Sequence, residues 1–328
     1  MIKIAFDIMG FENDIAEAIN AARKFVKKYS DTKIILVGNQ EEIEKVINQN
    51  DKFEVVNASE VISQTDNPLL AIRKKDSSML RAIKMVKDNL ADAVVSPGST
   101  PCFVSISYSN FGMIENISKP AFNPTFPSTN LKGFNMLDVG ANKICDEYDL
   151  VNFALMGHVY AKLVRQIENP SIKLLNIGTE DYKGLEIIQN AHKILKNEKR
   201  INYQGFIEPG KLLLGETDVI CTDGFTGNIC LKAMEGSLKI LSNEIKRNLL
   251  KPYNILGAIF SYNAFRKVKN TFDYKNYAGA LVLGLNKIAI KAHGSADEKE
   301  FMSALELARN SAKYNIVEEI KKFINEKK

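Results

Sequence analysis

The chain has 328 residues with 44 Lys+Arg, 39 Asp+Glu, 45% hydrophobic and 25% charged residues, an ordinary globular balance that excludes long disorder and a fibrous build. No apolar run reaches the roughly 18 to 20 residues that span a bilayer, and Met1 to Asp7 meets an acid before any secretory core, so neither a membrane span nor export is expected. Four cysteines (Cys102, Cys145, Cys221, Cys230) make no C-x-x-C pair, so neither a zinc ribbon nor a disulfide framework is indicated, and a reducing cytoplasm fits.

Short β-branched runs alternate with longer amphipathic stretches, the pattern of a parallel sheet with helices on both faces. Strands are predicted at Ile2 to Phe6, Lys33 to Val37, Phe53 to Val56, Ala91 to Val95, Asn135 to Val139, Lys173 to Ile177, Asn202 to Phe206 and Asp218 to Thr222. The helices between them are predicted at Asn13 to Tyr29, Gln40 to Asn48, Ser78 to Asn89, Thr100 to Phe111, Tyr148 to Gln166 and Lys183 to Lys196. Phe225 to Leu250 reads as a longer helix, Asp297 to Lys327 as the last. No internal repeat, low-complexity tract or Gly/Ser/Pro linker divides the chain, so residues 1–328 are expected to form one α/β unit with an excursion at Pro252 to Phe272.

The net charge of +5 is localised. Lys246 to Lys275 holds seven bases (Lys246, Arg247, Lys251, Arg266, Lys267, Lys269, Lys275) against Asp273 alone, a balance of +6 that leaves −1 for the remainder. Within this segment Ile255, Leu256, Ile259 and Phe260 recur at helical spacing beside Arg266, Lys267 and Lys269. Such a helix suits an anionic membrane surface or an acidic protein, and equally a buried dimer contact with a charged rim. Interleaved apolar residues and the lack of a groove-reading motif argue against nucleic acid.

In open α/β sheets ligands bind beyond the carboxyl ends of strands, and four loops there share a character. Ser96-Pro97-Gly98-Ser99-Thr100-Pro101 leads into a helix, offering backbone N–H groups, hydroxyls and a helix dipole to an anion; it is also an ordinary N-cap with Pro in the first turn. Asp138 to Asn142 ends a second strand, and Gly178 to Gly184 a third, where Lys183 can place a cation beside phosphate with Thr179 as a neutral donor. Glu180 and Asp181 there also suit a helix N-terminus without any ligand. The fourth is Asp223-Gly224-Phe225-Thr226-Gly227-Asn228, in which two glycines permit close backbone approach. Together the four suggest a site for phosphate or a phosphorylated ligand.

The G-x-G-x-x-G, G-x-x-x-x-G-K-[ST] and G-x-S-x-G fingerprints of dinucleotide, P-loop and α/β-hydrolase sites are absent. His158 and His192 lie inside helical patterns and read as packing or surface residues, whereas His293 falls between a strand-like run and a helix and suits a site or a structural role. Cys102 lacks an evident base and reads as a filler.

These motifs are carried in order by Arg73 to Met79, Leu137 to Asn142, Met156 to Tyr160, Leu174 to Asp181, Asp223 to Asn228 with Leu231-Lys232 and Glu235-Gly236, and Lys291 to Ser295. In that order and spacing the chain resembles, almost end to end, the phosphate acyltransferases of bacterial phospholipid synthesis, the PlsX family. The resemblance implies a three-layer αβα sandwich similar to phosphotransacetylases and to isocitrate and isopropylmalate dehydrogenases. It implies transfer of a fatty acyl group from acyl carrier protein to inorganic phosphate, giving an acyl phosphate, without metal, nucleotide or other cofactor. It also implies a cytoplasmic homodimer, peripherally associated with the membrane and supplying a downstream membrane glycerol-3-phosphate acyltransferase. The chain departs from the family pattern at Phe11 and Glu12, where Gly and Asp are usual, and at Pro97 to Pro101, where Ala-Gly-Asn-Thr-Gly is usual.

On this reading Ser96, Gly98, Ser99, Thr100, Asn142, Thr179, Thr226, Gly227 and Asn228 bind phosphate or substrate. Lys183, Asp223 and His293 are the candidates for charge stabilisation, orientation or proton transfer. Two alternatives stand beside it: a phosphotransacetylase-like enzyme using a coenzyme A thioester, and an inactive homologue that binds only carrier protein or membrane.

Overall fold

The computed structural model describes residues 1–273 and 278–326. The first part runs β1 (Ile2–Asp7), α1 (Ile15–Lys28), β2 (Thr32–Gly38), α2 (Gln40–Val46), β3 (Glu54–Asn57), α3 (Pro68–Ala71), α4 (Ser78–Lys87), β4 (Ala93–Ser96) and α5 (Thr100–Phe111). Then follow β5 (Ala121–Phe126), β6 (Phe134–Leu137), α6 (Glu147–Leu163), β7 (Ser171–Leu175), α7 (Glu186–Lys196), β8 (Asn202–Ile207) and β9 (Val219–Cys221). The chain continues with α8 (Gly224–Leu249), α9 (Ile255–Thr271), β10 (Ala280–Leu283), β11 (Ile288–Lys291), α10 (Glu298–Lys313) and α11 (Ile316–Asn325). Lys275, the last base of the basic segment, and Lys327, the expected end of the final helix, lie outside the described residues.

The strands join in the order β3-β2-β1-β4-β11-β10-β5-β6-β9-β7-β8. Alternation of side chains along each strand builds the layers. Ile4 and Phe6 of β1, with Ile34 and Leu36 of β2, face a core shared with α1, α6, α7, α10 and α11. Ala5, Ile35 and Val37 face the opposite side, covered by α4 and α5. On the far half of that second side, Met136, Leu175 and Ile220 meet Leu231 and Met234 of α8. Helices therefore cover both faces of a mixed sheet, the three-layer αβα arrangement expected.

Local chemistry sets the ends. Asp14 caps α1 through Ala16 N (2.8 Å), and reciprocal capping boxes start α6 (Asp146 with Asp149) and α10 (Asp297 with Glu300). Several elements differ from expectation. β5 contains Pro124, and a proline that cannot donate to a ladder hides a strand from pattern reading. β10 and β11 lie in stretches read only as apolar or strand-like. The last predicted helix is two, broken at Asn315, whose φ of 49° is left-handed.

The sheet is not uniformly parallel. β1, β2, β3, β4 and β11 share a direction, β10 opposes β11 and β5 opposes β10. β6 then opposes β5 and runs parallel to β9, which is parallel to β7. The carboxyl ends of β4 and β11, near the middle of the sheet, and those of β6, β7 and β9 therefore form two separate corners on opposite margins of the sheet.

Candidate functional site

At the first corner, Asp7 ends β1 and is fully buried. Its carboxylate accepts from Ser96 Oγ at 2.6 Å and Met9 N at 3.2 Å. Burial pushes it up to about 6, against the pull of Ser78, Ser96 and Met9. The Gly98 amide donates to Ser96 Oγ (3.2 Å), and Ser99 is the buried N-cap of α5 with no side-chain cap bond. A Cβ on Gly98 would meet the Met79 methyl, the tip of a flexible side chain that would have to move aside. Thr100 opens the helix, half-buried.

Beside this loop, Lys291 ends β11 with its ammonium buried, donating to Pro97 O (3.1 Å) and Ala292 O. Burial lowers it to about 7. His293 follows; Nδ1 accepts from Ser295 N (3.2 Å) and lies 2.9 Å from Ser295 Oγ, which leaves the proton of the neutral ring on Nε2. Burial and then the Lys291 charge lower its pKa. The family departure at Phe11 is accommodated locally: Phe11 packs edge-on against Phe301, ring centroids 5.1 Å apart, and Glu12 N donates to Gly294 O at 2.8 Å.

The second corner is organised by Asp138, also fully buried. Oδ1 accepts the amides of Phe122 (3.0 Å), Gly140 (3.1 Å) and Ala141 (3.0 Å). Oδ2 accepts Asn142 N (2.7 Å) and Asn142 Nδ2 (2.8 Å). Asn142, a residue expected to bind phosphate or substrate, directs its side-chain N–H groups to Asp138 and to Pro120 O (2.6 Å) and so holds the turn. α8 starts directly on this turn: a Cβ on Gly227 would overlap the Asp138 carbonyl, and one on Gly224 would overlap Asn142 O.

Asp223 caps α8 by accepting Thr226 N at 2.9 Å, so its carboxylate already occupies the positive end of that helix. Past the cap, neither the Thr226 hydroxyl nor the Asn228 side-chain amide makes a hydrogen bond to any described residue. Asn228 borders Gly140, whose position leaves 3.8 Å to it even for an added Cβ.

At the end of β7, Asn176 Nδ2 holds Lys183 O (3.0 Å), and Lys183 Nζ pairs with Glu180 Oε1 at 2.8 Å, which raises its pKa. Both partners are substantially exposed, so solvent screens the pair. Thr179 is exposed alongside.

Ser96, Gly98, Ser99 and Thr100 thus lie on one loop, tied through Pro97 O to Lys291 Nζ and through Ser96 O to Ala292 N just before His293, whereas Asp223, Thr226, Gly227 and Asn228 start α8 against the Asp138 turn. The Lys183 loop forms a third group on the strand beside β9. α8 links the corners: Lys232 and Glu235, two to three turns along it, lie near enough to His293 to shift its titration in opposite directions.

His158 and His192 are packing residues, stacked on Phe323 (5.2 Å) and Phe206 (4.5 Å). Buried Cys102 donates to Asp66 O (3.4 Å). Asp7, Lys291 and the organising role of Asp138 were not recognised in the sequence; the available signal was an ionisable residue closing an apolar strand. Among the described residues no three His, Cys, Asp or Glu side chains gather as a metal site requires.

Past its first turn, α8 leads with α9 into an exposed excursion. α8 buries only Gly224 and Gly227, and α9 buries nothing. Ile255, Leu256, Ile259 and Phe260 are all exposed, Phe260 by 88%. Arg266 and Lys267 line an open groove of about 310 Å³ with Leu131, Asn263, Asn270 and Thr271. No described helix is long and apolar enough to cross a membrane.

The mixed αβα architecture is a fold shared with phosphotransacetylases and with dehydrogenases of the same layering. A phosphotransacetylase from Streptococcus pyogenes superposes with a TM-score of 0.64 at 15% identity, covering 95% of this chain and 94% of that one. A 4-hydroxythreonine-4-phosphate dehydrogenase from Klebsiella pneumoniae gives 0.54 at 11% identity, covering 95% and 100%. Sequence is more specific: the profile described as "Fatty acid synthesis protein" matches residues 2–319. A protein named phosphate acyltransferase from Malacoplasma penetrans is 51% identical over 317 residues, 96% of each chain. The chain belongs to this family, the PlsX phosphate acyltransferases of fatty acid and phospholipid synthesis.

Proposed function

We propose that this chain, acting as one α/β unit, transfers a fatty acyl group from acyl carrier protein to inorganic phosphate. A phosphate oxygen attacks the thioester carbonyl, the new C–O bond forms, the C–S bond breaks, and the carrier thiolate leaves and takes a proton. The observation that carries the proposal is the first turn of α8, where the Thr226 hydroxyl and Asn228 amide stand unpartnered beside Gly140 on a rigid Asp138 turn.

Phosphate is already a nucleophile near neutral pH, and a thiol of pKa about 8.5 leaves well, so the protein's task is positioning and oxyanion stabilisation. Thr226, Asn228 and the Gly227 region supply neutral donors, and Lys183 moves from Glu180 to the reacting anion. Ser99 and Thr100 serve the same end from the other corner, with Ser96, Gly98 and Thr179 shaping their loops. Asp223 orients α8, and His293, protonated on Nε2 in its neutral form, is placed to donate to the departing thiolate. Phosphate-dependent loss of thioester from acyl carrier protein, with acyl phosphate as product, tests the reading. Activity only with matched acyl-coenzyme A, or carrier protein bound with no acyl phosphate formed, overturns it.

The exposed face of α9, with its neighbouring bases, supports peripheral attachment of a cytoplasmic homodimer to an anionic membrane, where a glycerol-3-phosphate acyltransferase would take up the product.

A further inference from the structure

Lys291 is 5% exposed, yet makes no ion pair among the described residues; its Nζ rests on the carbonyls of Pro97 (3.1 Å) and Ala292. Two strands away, buried Asp7 holds Ser96 Oγ at 2.6 Å, and between them Ala292 N donates to Ser96 O at 2.9 Å. Ser96 and Pro97 are thereby gripped from both sides by buried ionisable groups at the point where the loop turns into α5. A neutral side chain of similar length would fill the space of Lys291 without the cost of a buried, unpaired ammonium.

We infer that Asp7 and Lys291 are positioning residues that clamp Ser96 and Pro97 and couple anion binding on the following Ser99–Thr100 turn to proton uptake. The inference rests on the proposal that this loop receives phosphate. An anion there adds to the attraction that Asp7 alone exerts on the buried ammonium, so its arrival favours the protonated clamp.

With Asp7 near 6 and Lys291 near 7, the pair passes from +1 through zero to −1 across the neutral range, so phosphate affinity should fall as pH rises through 7. Other charges bear on it less directly. His293 shares its turn and feels Lys232 and Glu235 of α8 and Glu12 of the β1–α1 loop. On α10, Glu300 caps with Asp297 and Glu298 takes Lys24. β4 and α5 contain no Asp, Glu, Lys, Arg or His.

The test is calorimetric titration of the full chain with inorganic phosphate in buffers of different ionisation heat, from pH 5.5 to 8.5, beside steady-state kinetics. Wild type should take up a fraction of a proton per phosphate near pH 7. K291M should bind phosphate at least tenfold more weakly, without that uptake and with KM raised more than kcat falls, and K291R should restore affinity. K291M within twofold of wild type, with the same uptake, overturns the inference. Should K291M fail to fold, D7N decides: it keeps an oxygen for Ser96, and its affinity profile should lose the limb near pH 6, an unchanged profile being the overturning result. A wild type that neither binds phosphate nor transfers acyl groups overturns the proposed function and this inference together, whereas an active wild type with unaltered variants sinks the clamp alone.

Discussion

Asp138→Asn removes one charge and no volume, so its effect follows from hydrogen bonds alone. The carboxylate accepts five N–H groups, three on Oδ1 and two on Oδ2. An asparagine must turn its NH₂ toward one set. Facing the Oδ2 side it meets two donors, Asn142 N and Nδ2; facing the other it meets three, so the first orientation costs less. Two bonds to a charged acceptor are worth about 1.5 to 3 kcal/mol each, and release of a buried charge returns part of that, for a net loss of about 2 to 4 kcal/mol. The Asn142 end of the turn, which supports Gly224, should loosen first. Urea unfolding should show a lower midpoint at unchanged slope, and acyl phosphate formation should fall by more than the unfolded fraction explains. A midpoint and a rate both equal to wild type would refute the view that Asp138 builds this corner.

Further outcomes are expected. Asn228→Ala should cut acyl phosphate formation tenfold or more with unchanged thermal unfolding; Lys183→Ala should do likewise, and equal rates in either variant remove that residue from the site. Gly227→Ala gains helix propensity of up to about 1 kcal/mol yet forces a Cβ onto the Asp138 carbonyl, so a net destabilisation of about 1 to 2 kcal/mol is expected by denaturant titration, and stabilisation would contradict the packing. Asp7 has its carboxyl raised from 3.8 to about 6, so the stability it contributes is complete below about 4 and lost as pH rises to 6; relative to Asp7→Asn, wild type should lose about 3 kcal/mol over that interval, measured as paired urea midpoints. Ile259→Asp should abolish flotation with anionic liposomes while leaving acyl transfer in solution intact, and retained flotation excludes insertion of the α9 face.

The layered architecture was legible because buried parallel strands and amphipathic helices have separate periods. Thr100 to Phe111 could be read to the residue from Ser99, Pro101 and Gly112, which fix both its ends. β5 was not legible, since Pro124 and Asn123 interrupt its pattern and only pairing with β10 and β6 makes it a strand. The loops could be located from strand ends, but their grouping depends on strand direction. Nothing local to β6 says that it opposes β4 across four intervening steps. Asn142 illustrates the limit: that its donors engage the carboxylate four residues earlier is visible only in the folded turn.

Acids at both corners behave alike, and this bears on mechanism. Asp7 holds Ser96 and Met9, Asp138 holds its own turn, and Asp223 holds Thr226. Each carboxylate is engaged by internal donors and fixes the start of a loop whose next residues are small and neutral. None stands free as a general base. A reaction whose nucleophile arrives already anionic needs no base, and an ionised carboxylate facing phosphate would repel it. The hydroxyls and amides of Ser99, Thr100, Thr226 and Asn228 are what such a nucleophile can meet without repulsion. The acids and the donors should therefore separate in kinetics: loss of a donor lowers the rate on an intact fold, whereas loss of an acid displaces its loop and lowers stability and rate together.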